Sequence, residues 1–157
     1  MLRHTNFMSS WSPLTAIGAG FVGSILNSIL IRITRKAGID AGTSGFSKWL
    51  ATHVNALLGT HVPVTLSPIA QEVFHTTIGV GAALIYAAIF YNIMRGPGWI
   101  RGLIFCQVLW FAQALIVLPW LGKGYFGTRI SLAAPIWSWC LNAVYGIALG
   151  FLYRPKI

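Results

Sequence analysis

The sequence predicts an all-α integral membrane protein of four transmembrane helices, with one interfacial amphipathic helix between the first and second. Three observations predict it. Of 157 residues, 56% are hydrophobic and only 8% charged, whereas a soluble domain carries about a quarter charged residues. Apolar runs at 13–31, 68–94, 99–121 and 132–153 each reach the roughly 20 residues needed to cross a hydrocarbon core of about 30 Å. Eleven Lys and Arg against two acids, Asp40 and Glu72, give +9, and these cations flank the apolar runs. Their partners are therefore expected to be anionic lipid headgroups. A nucleic-acid binder would carry the same charge on a polar folded surface.

The stretch 67–121 organises the chain. Two long runs are joined by Arg95-Gly96-Pro97-Gly98-Trp99-Ile100-Arg101, where Pro97 and its flanking glycines end one helix and release the next. Such a short turn makes the two helices antiparallel neighbours, a fixed central pair with the outer helices packed around it.

From the start, Arg3 and His4 lie in a short polar head, and Ser12-Pro13 reads as an N-cap and first helical residue. Arg3 before an apolar run resembles a secretory signal. The run is long and no small-x-small cleavage site follows, so it reads as an uncleaved first helix. Ala16, Gly20, Ser24 and Ser28 recur every four residues, a stripe that lets another helix approach closely, with Asn27 beside it as a hydrogen-bonding side chain. Arg32, Arg35 and Lys36 close the span at headgroup level, and 37–47 reads as a loop.

Phe46, Trp49, Leu50, His53, Val54, Leu57 and Leu58 form one helical stripe. The segment 46–58 is too short to span and is placed in the interface plane, with Lys48 and Trp49 among the headgroups. An extended link with His61 and Pro63 leads to the hairpin. After it, 122–131 is a turn-rich loop carrying Lys123 and Arg129. In the last span Asn142, Gly146 and Gly150 repeat the four-residue spacing, and Arg154 and Lys156 follow in the interface.

Four spans place both termini on one side. Arg3, Arg95, Arg101, Arg154 and Lys156 then face Arg32, Arg35, Lys36, Lys48, Lys123 and Arg129, a near tie that leans to cytoplasmic termini, because the short turn and tail hold their cations nearest the helix ends. Six tryptophans and tyrosines, Trp11, Trp49, Trp99, Trp120, Tyr125 and Tyr153, sit near span ends as an aromatic belt. Trp110 is central, and Trp137 and Trp139 lie a little inside. Pro119 is expected to kink or finish the third span.

Candidate chemistry is sparse. Glu72 and His75, at i and i+3, share a helix face. Glu-x-x-His is the unit of di-iron carboxylate bundles, but those need two such units and two further glutamates, and this chain has one glutamate. The plainer reading turns Glu72 toward the positive helix end and interfacial water. His75 alone is a candidate axial ligand for a tetrapyrrole, a haem or chlorophyll-type ring, since Gly79, Ala82 and Ala83 beyond it leave room for a flat ring. His4, His53 and His61 lie outside the spans and supply no second ligand. Gln107, Gln113 and Asn142 either line a solute path or bond between helices. The two glutamines point roughly 120° apart, against a single polar stripe. Cys106 and Cys140 differ in depth by roughly 10 Å, too far for a disulfide. No nucleophile, base and orienting acid combine, no phosphate loop follows a strand, and no metal-ligand spacing occurs. The composition therefore speaks against an enzyme.

The pieces His75…Gly79, 82–87 (Ala-Ala-Leu-Ile-Tyr-Ala), 96–102 (Gly-Pro-Gly-Trp-Ile-Arg-Gly), Trp110, 117–119, 122–126, 144–146 and Leu149-Gly150 resemble small uncharacterised bacterial inner-membrane proteins of the YagU type, over about 74–155. The resemblance implies a four-helix, multi-pass protein of the bacterial inner membrane and no activity. Small-xxx-small faces on both the first and last spans are more packing surface than a four-helix monomer needs, and they lead to the expectation of an accessory subunit of a larger membrane complex, of respiratory or photosynthetic kind, in contact with lipids and other integral membrane subunits. A cofactor-binding subunit using His75 and a homo-oligomeric transporter or channel stand as alternatives.

Overall fold

Pro13 occupies the first turn of helix α1 (Pro13–Lys36), where its missing N–H leaves no bond unmade. In the computed structural model, which describes residues 11–39, 46–61 and 67–155, with the backbone alone at 46–49, α1 runs past the expected end at 31. It stops where Gly38 takes a positive φ of 78° and the Gly38 and Ile39 amides bond to Arg35 and Thr34 carbonyls. That double bond satisfies the last carbonyls, so the helix carries Arg32, Arg35 and Lys36 on its final turns. Arg3, His4, Lys156 and the side chains of Lys48 and Trp49 lie outside the described residues.

Helices α2 (Phe46–Leu58), α3 (Pro68–Ile93), α4 (Gly98–Trp120) and α5 (Ala134–Leu152) follow. Among the described residues there is no strand, and α1, α3, α4 and α5 are long and apolar enough to cross a membrane. The Ser67 hydroxyl caps α3 by accepting from the Ala70 amide at 3.2 Å. The Ser131 hydroxyl accepts from Ala134 at 3.0 Å at the start of α5, which begins two residues later than the periodicity suggested because Pro135 sits in its first turn.

Two π turns interrupt the helices, and neither was expected. In α4 the turn is Gln113–Val117, just before Pro119. Proline lacks an N–H and crowds the carbonyl four residues back, and widening the preceding turn relieves that clash without breaking the helix. In α3 the turn is Tyr86–Phe90, and the Tyr91 amide reaches Tyr86 O. The extra residue in that turn rotates Tyr91 toward the face of Tyr86. Tyr86, Phe90, Tyr91, Phe105 and Tyr153 thereby make one aromatic cluster with ring centroids 4.8 to 6.0 Å apart.

The four long helices run alternately up and down. The N-terminus of α1 meets the C-terminus of α5, where Tyr153 Oη accepts from the Ser12 amide at 3.3 Å. This "turn end" also holds the α3–α4 turn, and the opposite "loop end" holds the C-terminus of α1 and the start of α3. The expected central pair is not the tightest one. The closest-packed pairs are α4 with α5 and α1 with α3, α1 also packs on α5, and α3 meets α4 chiefly through Tyr86, Phe90 and Phe105 near the turn.

Glycine explains that order. A Cβ on Gly102 or Gly150 would overlap the partner helix's backbone, and one on Gly146 would lie 2.6 Å from Gly102 O and 2.8 Å from Cys106 Cβ. On the other pair, a Cβ on Gly20 would stand 2.7 Å from Ala83 Cβ and 2.9 Å from Val80 Cα. Helices in an apolar solvent gain little by hiding apolar surface from it, so close backbone packing and the Cα–H···O contacts it permits hold them together.

Gly102→Val is expected to destabilise the fold by about 3 kcal/mol or more, since neither backbone can yield to the added methyl groups. Gly18→Ala, where a Cβ meets nothing within 4 Å, is expected to stay within about 0.5 kcal/mol. Equilibrium unfolding by a denaturing detergent compares the two.

Candidate functional site

Several of the buried polar side chains gather on α1, which packs against α3 and α5. Ser24, Asn27 and Ser28 are buried on α1. At the loop end Arg32 Nη2 donates to Glu72 Oε2 at 2.9 Å, and the Ser28 hydroxyl lies against the same carboxylate. The pair joins α1 to α3, and its side chains are 68% and 35% exposed, so it is a contact open to solvent or headgroups. Deeper in, the Tyr145 hydroxyl of α5 donates to Gly79 O at 2.6 Å, and its ring packs on Gly23, where a Cβ would stand 3.0 Å away.

Placement of the residues singled out in the sequence follows from this geometry. Ala16, Gly20, Ser24 and Ser28 are all buried, with Gly20 against Gly79, Val80 and Ala83, Ser24 against Gly79, and Ser28 against Glu72, all on α3. The α1 stripe is consumed inside the chain. Gly146 and Gly150 face Gly98 and Gly102 and are consumed likewise. Asn142 Nδ2 donates to Ser138 O in its own helix at 2.8 Å, not to a neighbouring helix. Asn27 Oδ1, Ser24 Oγ and both amide atoms of Gln107 are buried without a hydrogen-bond partner. Ser24 Oγ sits where a Cβ of Gly79 would be, and so rests on the Gly79 Cα, a weak Cα–H···O contact.

His75 is half-buried on the face of α3 that also carries Gly79, Ala82 and Tyr86. The room expected beyond it is occupied: Ser24 and Tyr145 fill the space at Gly79, and Ala83 is fully buried against Gly20. Among the described residues no three His, Cys, Asp or Glu side chains converge as a metal site, and Cys106 and Cys140 are both free thiols.

Of the cations expected among the headgroups, six at the helix ends divide. Arg35, Lys36, Arg95 and Arg154 are exposed at the helix ends. Arg32 is engaged with Glu72. Arg101 is wired into the turn: Nε donates to Gly96 O at 2.7 Å, Nη1 to Tyr91 O at 3.1 Å, and the guanidinium lies 4.7 Å from the centre of the Tyr91 ring. It closes the C-terminal carbonyls of α3 where no helix bond reaches them. The Tyr153 hydroxyl beneath this cluster accepts from the Ser12 amide.

Several contacts had a signal in the sequence that went unread. Gly98-xxx-Gly102 and Gly79-xxx-Ala83 are small-xxx-small pairs, masked by the turn role given to Gly98 and the ring space given to Gly79. Trp110 Nε1 donates to Ser138 Oγ at 3.0 Å, and that hydroxyl lies 3.1 Å from Pro135 O. No period or spacing pairs residues so far apart. Comparison of the chain with protein-family models, curated proteins and solved structures finds no match.

Tyr145→Phe is expected to cost about 0.6–1.7 kcal/mol, the range of hydrogen bonds between membrane helices. A double-mutant cycle of Arg32→Gln and Glu72→Gln is expected to give a coupling below about 1 kcal/mol, because the pair is exposed. Both are read from detergent unfolding curves.

Proposed function

We propose that this chain is a non-catalytic subunit that docks sideways on another integral membrane protein through α3. The carrying observation is the exposure of that helix. Only 17% of its apolar window is buried within the chain, against 33–39% for the other three long helices. Its face away from α1 carries Ala70, Thr77 and Gly81, spaced so that all three align on an α-helix. Nothing approaches within 4 Å of a Cβ built on Gly81, and the Thr77 hydroxyl is satisfied by Val73 O at 2.8 Å. A small-residue face with no unmet polar group is a surface for another helix.

The same reading places the bundle across a bacterial cytoplasmic membrane, in line with the YagU-type resemblance over 74–155. It lays α2 in the interface, supported by Leu57 and Leu58, which are 82% and 71% exposed, and by the His53 ring, 6.3 Å edge-on to Trp120. Docking through α3 replaces the stripes on α1 and α5 as the reason to expect a partner, since those stripes are used internally. A ring bound at His75 has lost the space that recommended it.

Because Gly81 is open, Gly81→Leu is expected to leave the monomer's unfolding curve within about 0.5 kcal/mol of wild type. The high-mass assembly isolated in mild detergent is expected to be lost. Sizing of both proteins, expressed in their native membrane, checks this. A wild-type chain that migrates as a lone 17.1 kDa monomer contradicts the reading, as does an assembly unchanged by Gly81→Leu.

A further inference from the structure

The geometry points to a binding site for the phosphate of an anionic phospholipid at the turn end, in the cavity between the start of α4 and the end of α5. The cavity holds about 290 Å³ and is lined by Tyr91, Trp99, Phe151, Tyr153 and Arg154, with Pro97, Gly98 and Gly150 as its floor. Its shape comes from the glycine crossing: Gly98 and Gly150 approach so closely that neither has room for a side chain, which leaves a hollow above them.

Charge decides what fills the hollow. The chain has two acidic side chains. Glu72 is at the loop end and engaged with Arg32. Among the described residues the turn end therefore has Arg95, Arg101 and Arg154 and no acidic side chain to balance them. Arg101 is engaged with carbonyls of the turn, whereas Arg154 lines the cavity and is exposed. Pro97, the N-cap of α4, offers no side-chain oxygen to the first amides of that helix, and its first turn holds no acid. An anion seated beside Arg154 is favoured by both the guanidinium and the positive helix end. Trp99 and Phe151, 40% and 52% exposed, offer the apolar sides that a glycerol backbone and upper acyl chain would meet. That half-polar, half-apolar lining selects a lipid phosphodiester over a free phosphate. The site stands apart from α3's outward face and does not depend on docking there.

The test reconstitutes the full chain in phosphatidylcholine nanodiscs, adds phosphatidylglycerol in steps, and reads the melting temperature. A saturable rise is expected with wild type. Arg154→Gln is expected to weaken the apparent affinity about fivefold, the worth of one hydrogen bond from the guanidinium to the seated phosphate, and Arg154→Lys to retain part of it. Arg35→Gln, exposed at the loop end, is expected to change it less than about twofold. Trp99→Ala, which trims a half-exposed wall, is expected to weaken it as well and serves if Arg154→Gln does not fold. A rise undiminished by Arg154→Gln and Trp99→Ala overturns the proposal. So does an equal rise in phosphatidylcholine alone, and an equal rise from inorganic phosphate without the lipid assigns the site to a soluble anion.

Discussion

The backbone crossing of α4 over α5 is the contact on which the rest of this structure depends. Gly98 and Gly102 lie against Gly146 and Gly150, so two helix backbones touch where side chains would hold them apart. With little apolar driving force available between helices in lipid, dispersion at short range and Cα–H···O contacts supply the attraction. The crossing fixes the position of α5, and α5 in turn carries Tyr145 to Gly79 and Tyr153 to the start of α1. The α1–α3 pair is thereby held to the α4–α5 pair at two depths.

This arrangement divides the small residues of the chain into two kinds. Gly20 and Gly23 on α1, Gly98 and Gly102 on α4, and Gly146 and Gly150 on α5 are spent on internal contacts, and a side chain at any of them crowds a neighbour. Gly18 and Gly81 have open space. Of these, only Gly81 belongs to the least enclosed helix and aligns with further small residues there. A glycine costs helix propensity and gives lipid little to pack on. Its presence on an outward face is therefore informative in a way that a buried glycine is not.

Much of the architecture is legible in the sequence. Composition, run length and the Gly-Pro-Gly turn lead to four long helices and their alternation, because these depend on local chemistry alone. Which helices pack most tightly was not legible, since the stripe on α1 and that on α5 read alike and the pattern does not say what each faces. The π turn at Tyr86–Phe90 was also hidden, as nothing in its five residues departs from helical periodicity. The position of Arg101 beside the turn suits a headgroup contact. Its bonds to Gly96 and Tyr91 require knowing how α3 ends. His75 was read against empty space that Ser24 and Tyr145 turn out to occupy, and only the fold reveals that.

The central claim is that α3 presents a prepared face while the small-residue stripes of the other helices are already engaged. Site-directed photo-crosslinking in native membranes tests it most directly, with a photoreactive residue placed in turn at Thr77 and Ile85 on α3 and at Leu14 and Val22 on α1, all exposed. The account predicts adducts to one larger protein from the α3 positions and none to protein from the α1 positions. Protein adducts from α1 but not α3, adducts only of twice this chain's mass, or no protein adduct from any position would contradict it.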